Sequence, residues 1–306
     1  MTPGRRTDGD NPALAAALAA ALGRPVATLR AIAGGDLNDA YQATLDSGER
    51  IFVKTSADAA PGAYAGETAS IRWLAVAQAL PLPQALAIHD EEASADAKSS
   101  PRFLALQWID AGRSTDASDE KLGRGLARLH AFGAPSFGGP DDLLRIGPIV
   151  LPNAPAPDWP TFYAERRLWP LARMAQERGA LPDHTLRSLE RVVDRLLHDA
   201  IGGPSEQPAR LHGDLWGGNV LTDVDGQPWL IDPAAHGGHR EVDLAMLRLF
   251  ASPSPRCFAA YEEVTPLAPG AQERVALWQV APLLLHAALF GGGYGARAAE
   301  LLNAYL

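Results

Sequence analysis

Residues 211–219 read LHGDLWGGN, and the chain continues to WLIDP at 229–233. This stretch places Asp214 five positions before Asn219, and a second carboxylate, Asp232, directly follows an apolar run. The pieces NVLT and PWLID are strand-like and flank the turn sequence DVDG, which is typical of a hairpin. Because a hairpin folds the chain back on itself, the sequence predicts that the three polar side chains meet in space.

These three side chains suit one kind of chemistry. An Asp carboxylate and an Asn carbonyl oxygen are hard ligands, which Mg²⁺ prefers when nucleotide phosphates complete its coordination shell. Asn219 and Asp232 are therefore candidate magnesium ligands, and Asp214 is left to accept a proton from an attacking hydroxyl. This order of groups is the layout of kinase-like phosphoryl transfer. The sequence thus predicts an enzyme that uses ATP and Mg²⁺.

Such an enzyme also needs a cation for the phosphates, and the strand-like run RIFVKT supplies Lys54. Glu67 follows 13 residues later in a helical pattern and is the predicted ion-pair partner. Gly34 and Gly35 are the predicted phosphate-covering turn, although the segment has no GxGxxG. A single Lys–Glu pair is more often a surface ion pair, and HGD alone occurs by chance. The interpretation therefore rests on the order in which all these features occur.

The order of elements predicts an α+β fold of the protein-kinase-like, two-lobed type. A small antiparallel sheet with one main helix, at 63–79, is expected in an N-lobe covering 1–106. Residues 107–113 are the predicted hinge, where the backbone of Gln107 and Ile109 would face adenine. A larger helical C-lobe, 114–306, holds the hairpin described above. The expected strands are 28–32, 40–45, 50–55, 84–88 and 103–109, and the expected C-lobe helices are 118–132, 159–178, 183–200, 240–250 and 270–290.

Composition narrows the possible partners and location. The chain has 306 residues and a net charge of −9, which argues against nucleic acid or an anionic membrane as the main partner. No apolar run is long enough to span a bilayer. The single cysteine, Cys257, excludes an internal disulfide and suits a reducing cytoplasm. A cytoplasmic protein, with a monomer favoured, is the resulting expectation.

Longer motifs give a more specific resemblance. LHGDLWGGNV and the later IDPAAHGGHREVDLAML resemble the fructosamine-3-kinase family, also called ketosamine-3-kinases. WPTFYAERRL at 159–168 resembles a helix of that family. The resemblance covers nearly the whole chain and implies a fold shared with aminoglycoside and choline kinases. It further implies ATP-dependent phosphorylation of the C3 hydroxyl of a ketoamine, free or on a glycated protein, which leads to deglycation. The sugar could be ribulosamine, erythrulosamine or fructosamine.

The resemblance also implies roles for individual residues. Asp214 would be the base, Asn219 and Asp232 would bind Mg²⁺, and Lys54 with Glu67 would orient the phosphates of ATP. These assignments agree with the chemistry expected from the residues themselves.

Other residues of the motifs could have either a structural or a functional role. Trp216 is either core packing or a platform against the sugar or amine of the substrate. His286 corresponds to a family histidine near the substrate pocket, but a His on an apolar helix face is more often a core residue. His212 is expected to hold the loop by hydrogen bonding. The motif leaves open the roles of His239, Arg240, Glu241 and Asp243, of which the two acids could be mere helix caps.

Two alternatives to a ketosamine kinase remain at this point. One is another small-molecule kinase of the aminoglycoside or choline kinase type, and the other is a catalytically silent nucleotide-binding protein. One departure from the family is also clear. Many members carry a cysteine between the first two strands, where this chain reads GGDLNDAY. Cys257 is instead expected in a helix, as a small buried apolar residue.

Overall fold

The computed structural model describes residues 11–33, 38–57, 59–90, 101–139, 141–199 and 201–306. These residues fall into two compact units. The first unit consists of the described residues within Met1–Ile71, Pro83–Asp110 and Arg145–Pro148. The second consists of those within Arg72–Leu82, Ala111–Leu144 and Ile149–Leu306. One boundary, between Asp110 and Ala111, lies inside the stretch predicted as a hinge.

The first unit is built on the small antiparallel sheet that the sequence predicts. Its five strands run in the order β1-β2-β3-β5-β4, and every neighbouring pair is antiparallel. The strands are β1 (Val26–Ile32), β2 (Asp39–Leu45), β3 (Arg50–Thr55), β4 (Ala85–His89) and β5 (Phe103–Gln107). β3 is central, which explains why five of its six residues are buried or half-buried.

Two helices flank this sheet in the chain. Helix α1 (Pro12–Leu22) has Asn11 as its N-cap and ends at Gly23 in the left-handed conformation, a common way for helices to stop. Leu14 and Leu18 of α1 are fully buried against strand residues of β2, β3 and β5. Helix α2 covers Ala63–Ala75, so the predicted end at residue 79 is wrong. The chain leaves the helix by a turn that includes Gln78 at φ 49.

The second unit consists mainly of helices, as predicted. Those before the predicted hairpin are α3 (Asp116–Phe132), α4 (Trp159–Tyr163), α5 (Trp169–Glu177) and α6 (Thr185–His198). Those after it are α7 (Glu241–Leu247), α8 (Pro255–Val264), α9 (Ala271–Trp278), α10 (Val280–Phe290) and α11 (Tyr294–Asn303). Sequence reasoning did not predict α11. None of the described helices is long and apolar enough to cross a membrane.

The helix predicted over 270–290 is wrong, because the chain forms two helices that meet at Gln279. Pro282 cannot donate to the carbonyl of Trp278, and its ring crowds that carbonyl. Tyr163 takes over the contact, since its hydroxyl lies 3.3 Å from the Trp278 carbonyl and 3.1 Å from that of Leu277. A side chain from a distant helix therefore stabilises the break.

The predicted helix 159–178 is nearly continuous, but residues Ala164–Leu168 form a π-helical segment between α4 and α5. Pro170 provides the reason, because it has no N–H for the carbonyl of Arg166. The guanidinium of Arg167 donates to that carbonyl instead, at 2.9 Å. Arg167 is buried and also donates to Asn153 at 2.7 Å.

Short two-stranded pairs complete the second unit. The predicted hairpin is present, with β9 (Val220–Thr222) antiparallel to β10 (Pro228–Leu230). A second pair joins β8 (Ala209–Leu211) to β11 (His236–Gly238). The chain between α3 and α4 contains a third pair, β6 (Leu143–Ile146) with β7 (Ile149–Pro152), of which Arg145–Pro148 is counted with the first unit. The first two pairs bracket the loop that carries Asp214.

Cys257 lies where α8 packs on α3, and its side chain is fully buried. The packing is tight, since a Cβ added at Gly123 of α3 would lie 1.9 Å from the carbonyl oxygen of Cys257. Burial raises the pKa of the thiol to about 12. Because the thiolate is the reactive form, this cysteine is expected to be inert.

We therefore expect mild oxidation to leave the folded protein unchanged. Treatment with diamide or dithiothreitol should alter neither the thermal unfolding midpoint nor the monomer band on a non-reducing gel. Thiol titration should detect Cys257 only after denaturation. A covalent dimer that forms under native conditions and disappears on reduction would contradict this assignment.

Candidate active site

The first unit contains the predicted Lys–Glu pair. Lys54 lies near the end of the central strand β3, between Ala40 of β2 and Leu104 of β5 in the strand register. Its ammonium forms an ion pair with the carboxylate of Glu67 on α2. Lys54 is only 4% exposed and Glu67 is half-buried, so the pair differs from exposed surface pairs, which contribute little to stability. The half-buried carboxylate holds the ammonium in place.

Sequence reasoning missed Tyr64, which lies one helical turn before Glu67. Its hydroxyl is 3.2 Å from the side-chain oxygen of Asn38, the residue that precedes β2. Burial raises the pKa of this phenol above its usual value, although the charge of Lys54 opposes the shift. Tyr64 thus links α2 to the end of the loop before β2.

The other predicted residues of the first unit have different outcomes. Gly34 and Gly35 lie outside the described residues. Gln107 ends β5, where its N–H donates to the Gln84 carbonyl at 2.9 Å. That N–H belongs to the sheet, so only the carbonyl of Gln107 remains a candidate for adenine. The contact of the Ile109 amide with adenine stays a prediction.

The loop after β8 brings Asp214 and Asn219 together in the second unit. The side-chain amide of Asn219 donates to the backbone carbonyl of Asp214 at 2.8 Å and to its carboxylate at 3.1 Å. His212 holds the start of the same loop as expected. Its Nε2 is 2.9 Å from the Ile231 carbonyl, and its Nδ1 accepts from the Asp214 N–H at 3.3 Å. Burial lowers the pKa of His212, so the neutral ring fits both contacts.

The backbone on both sides of Asp232 is hydrogen-bonded to the loop that carries Asp214. Ile231 donates to the Asn219 carbonyl at 3.1 Å, and Ala234 donates to the His212 carbonyl at 2.9 Å. Asp232 itself has φ 54, in the left-handed region that non-glycine residues seldom adopt. Such strain persists where the surroundings fix the backbone, often at functional sites. The hydrogen bonds on either side provide that constraint.

The surroundings of Asp214 change the pKa of its carboxyl group. The pKa of Asp214 is raised to about 7, chiefly by burial and then by the negative charge of Asp232. The hydrogen bond from Asn219 opposes this shift. A carboxyl group with a pKa near neutrality exchanges protons readily at physiological pH, as a general base must.

The same side chains fit a magnesium ion. Asn219 directs its NH₂ group to Asp214, so its oxygen faces the other way, and Asp232 adds a carboxylate. Both are hard oxygen donors of the kind that Mg²⁺ takes. Among the described residues, no three His, Cys, Asp or Glu side chains are grouped as a metal site. These residues would therefore hold the ion only together with oxygens of a bound ligand.

Glycines allow the loop to pack closely. Gly213 has φ 82, and a Cβ there would lie 2.0 Å from the Ala234 carbonyl oxygen. A Cβ at Gly218 would lie 2.1 Å from the ring of Trp216. Trp216 follows Asp214 by two residues, and its half-buried indole therefore packs over the backbone of Gly218. One side of the ring packs on the loop, and the ring remains partly open to solvent.

His286 on α10 is half-buried rather than a core residue. Its Nδ1 is 2.8 Å from the Pro282 carbonyl, one helical turn earlier. The ring packs beside Phe250 and Tyr294, with centroid distances of 4.8 and 5.1 Å. Its position is compatible with the substrate role expected from the sequence, which remains a prediction.

Comparison with known proteins gives the family. A model of the fructosamine kinase family matches residues 11–306. The chain belongs to the fructosamine kinase family. It is 32% identical over 276 residues to a Synechocystis protein named probable ketoamine kinase, covering 90% of this chain and 88% of that one. It is 30% identical over 281 residues to the chloroplastic protein-ribulosamine 3-kinase of Oryza sativa subsp. indica, covering 90% and 78% of the two chains.

Solved structures confirm the predicted fold of this kinase. A Thermobifida fusca protein described as a fructosamine-3-kinase superposes with a TM-score of 0.84 at 40% identity, covering 95% of this chain and 98% of that chain. The aminoglycoside phosphotransferase APH(4)-Ia superposes with a TM-score of 0.63 at 15% identity, covering 96% and 99%. The second likeness concerns the fold alone, and it confirms an α+β, protein-kinase-like architecture.

Asp243 of this fructosamine kinase proves to be more than a helix cap. Its carboxylate accepts from the backbone N–H groups of His212 at 2.7 Å and Gly213 at 3.0 Å. His130 of α3 contacts the same carboxylate through Nε2 at 3.3 Å, and its Nδ1 meets the hydroxyl of Tyr261 at 2.9 Å. Burial alone would raise the pKa of Asp243, but His130 and the loop N–H groups hold it below its usual value.

The rest of the GHREVD motif is likewise structural. Glu241 receives two hydrogen bonds from Arg274, at 2.6 and 2.8 Å, a bidentate pair of the strong kind. Arg240 makes the same type of pair with Glu206, at 2.8 and 2.9 Å. His239 accepts the N–H of Glu241 at 3.3 Å through Nδ1. No spacing rule points to Arg274 or Glu206, since each lies more than 30 residues from the motif.

Replacing Asp243 by Asn should destabilise the kinase. The amide can accept through one atom where the carboxylate uses two, so one buried N–H of the loop loses its acceptor. Loss of a buried hydrogen-bond partner typically costs about 1–3 kcal/mol. Chemical denaturation should show this loss, while Asp225→Asn on an exposed turn should stay within about 0.5 kcal/mol. Equal stabilities would contradict the anchoring role of Asp243.

Asp214→Asn should have the opposite effect on stability. The Asp214 carboxyl has a pKa of about 7 in the folded chain against a reference value of 3.8. Between these values the unfolded chain binds fewer protons, so the free energy of unfolding falls as the pH rises from about 4 to 7. Neutral Asn avoids that loss.

The test compares unfolding midpoints of both proteins at pH 5, 6, 7 and 8 in metal-free buffer. The advantage of Asp214→Asn should grow with pH up to about 7 and then level off. An advantage that is absent at pH 8, or independent of pH, would show that Asp214 ionises normally.

Proposed function

We propose that this chain transfers the terminal phosphate of ATP to the C3 hydroxyl of a ketoamine. The single observation that carries the proposal is the Asp214–Asn219–Asp232 arrangement in a chain that belongs to the fructosamine kinase family. The names of its relatives, ketoamine kinase and protein-ribulosamine 3-kinase, support the acceptor class. The family's kinases use ATP as the phosphate donor.

Asp214 is the proposed base. Its carboxylate would accept the proton of the C3 hydroxyl as that oxygen bonds to the terminal phosphorus and the bond to ADP breaks. The hydrogen bond from Asn219 holds the carboxylate in one orientation, and positioning accounts for most of the catalysis in phosphoryl transfer. The proton then passes to solvent when the product leaves.

The remaining charged residues would bind the nucleotide. Lys54, held by Glu67, is proposed to contact its phosphates. The oxygens of Asn219 and Asp232 are the proposed ligands of Mg²⁺. When bound, this ion would neutralise the negative charge of the phosphates. The backbone carbonyl of Gln107 and the amide of Ile109 are proposed to contact adenine, although no GxGxxG covers the phosphates.

Trp216 and His286 are the proposed substrate contacts. Both side chains are half-buried, unlike the fully buried aromatic residues of the core. The indole of Trp216 follows the proposed base by two residues and has an apolar face for a sugar ring or amine substituent. No observation favours a choline acceptor, and the likeness to the aminoglycoside phosphotransferase APH(4)-Ia is limited to the fold.

The proposal is tested with an acceptor panel. ATP turnover should require Mg²⁺ and a ketoamine, and should be undetectable with an aminoglycoside or with choline. Ribulosamine, erythrulosamine and fructosamine derivatives of one amine would rank the sugars, and phosphorus NMR should place the phosphate on C3. Turnover with choline or an aminoglycoside alone would overturn the acceptor assignment. Nucleotide binding without turnover of any acceptor would identify a catalytically silent protein.

Within the same assay, Asp214→Asn should reduce turnover by about 10²–10⁴, the usual contribution of a general base. Its affinity for ATP should stay near that of the wild type, because the proposed phosphate and metal ligands remain. Asp225→Asn, a matched change on an exposed turn, should have normal turnover. Wild-type activity in Asp214→Asn would remove this residue from the mechanism.

A further inference from the structure

An aromatic cluster borders the loop that carries Asp214. It consists of Phe250, after α7, and of His286, Phe290 and Tyr294 from the end of α10 and the start of α11. The His286 ring is the centre, with ring centroids at 4.8 Å to Phe250, 5.1 Å to Tyr294 and 5.7 Å to Phe290. Phe250 also meets Tyr294 edge-on at 6.3 Å. The four rings therefore form one continuous aromatic surface.

This cluster is unlike the aromatic core of the same unit. Tyr163 and Trp278 are fully buried, whereas Phe250, His286 and Tyr294 are half-buried and Phe290 is 41% exposed. The other residues of α10 that face inward are aliphatic. Large aromatic side chains that keep part of their rings in water are typical of binding surfaces rather than of cores.

A direct hydrogen bond joins the cluster to the loop. The N–H of Gly217 donates to the Phe250 carbonyl at 3.1 Å, and a Cβ at Gly217 would lie 1.9 Å from the Ala251 carbonyl oxygen. Gly217 is three residues after Asp214, so the Cα atoms of Asp214 and Gly217 are at most about 10 Å apart. The backbone of Phe250 and Ala251 therefore packs directly against the loop that carries Asp214.

A ketoamine extends well beyond the hydroxyl that reacts. Its nitrogen lies four bonds from the C3 oxygen, or about 5 Å, so a substituent on nitrogen extends several ångströms beyond the reacting group. The cluster offers ring faces and edges to that substituent.

We infer that the cluster of Phe250, His286, Phe290 and Tyr294 binds the nitrogen substituent of the ketoamine and selects apolar or aromatic substituents. The inference rests on the proposed function, since it names the acceptor class more narrowly. Trp216 serves the reacting end of the substrate, and the cluster serves the other end. Selectivity then comes from the amount of apolar surface that the substituent buries against the rings.

The test measures kcat/KM for two ketoamines of the sugar that ranks first in the acceptor panel, one made from benzylamine and one from methylamine. The wild type should prefer the benzyl compound. Phe250→Ala and Tyr294→Ala should each reduce that preference about 10-fold, mainly through KM for the benzyl compound, because each removes one ring face. The Phe250 carbonyl that holds Gly217 is kept in the alanine variant. Leu197→Ala, an exposed apolar residue of α6 (43% exposed), is the control and should leave the preference unchanged.

Other outcomes separate the two proposals. Variants that lose activity equally with both ketoamines, or a wild type without preference, would overturn the inference and leave the proposed function standing. A wild type that phosphorylates no ketoamine in the acceptor panel would overturn both. If Phe250→Ala or Tyr294→Ala fails to fold, Phe290→Ala at the exposed rim decides. It should then show the reduced preference with an unchanged unfolding midpoint, and an unchanged preference would overturn the inference.

Discussion

The carboxylate of Asp243 is the contact on which the candidate site depends. It accepts two backbone N–H groups of the HGD loop and is itself 1% exposed. Without an acceptor, those buried N–H groups would be unpaired, which folded proteins rarely tolerate. The loop direction at His212 and Gly213 in turn sets where Asp214 and Asn219 lie. A buried charge on one helix therefore positions groups on a loop that comes 30 residues earlier.

The candidate site contains two features that are unfavourable for folding. Two carboxylates, Asp214 and Asp232, are placed close enough for the charge of one to raise the pKa of the other, and Asp232 is held at an unfavourable φ. Hydrogen bonds on both sides of Asp232 and the amide of Asn219 maintain this arrangement. Proteins commonly retain such local strain where function requires it. A magnesium ion with nucleotide phosphates would explain why both carboxylates are kept.

Sequence reasoning succeeded where short-range rules apply. The strand Arg50–Thr55 and the Asp214–Asn219 spacing follow from alternation and from local chemistry, and the structure has the sheet and the loop. It was wrong where a distant residue intervenes. Pro282 marks the break at Gln279 locally, but the hydroxyl that stabilises the break comes from Tyr163, more than 100 residues away, and no local pattern points to that partner. The hydrogen bond of Tyr64 to Asn38 was missed for the same reason.

The sequence by itself determined the fold class, the family and the order of the chemical groups, because hydrophobic periodicity and motif spacing are local properties of the chain. Only the tertiary structure decided what those groups do to one another. The pKa of Asp214 depends on its burial and on Asp232, and the structural roles of Asp243 and Glu241 depend on partners from other helices. Electrostatic and hydrogen-bond energies vary with distance and burial in space, and both are set only when remote segments pack together.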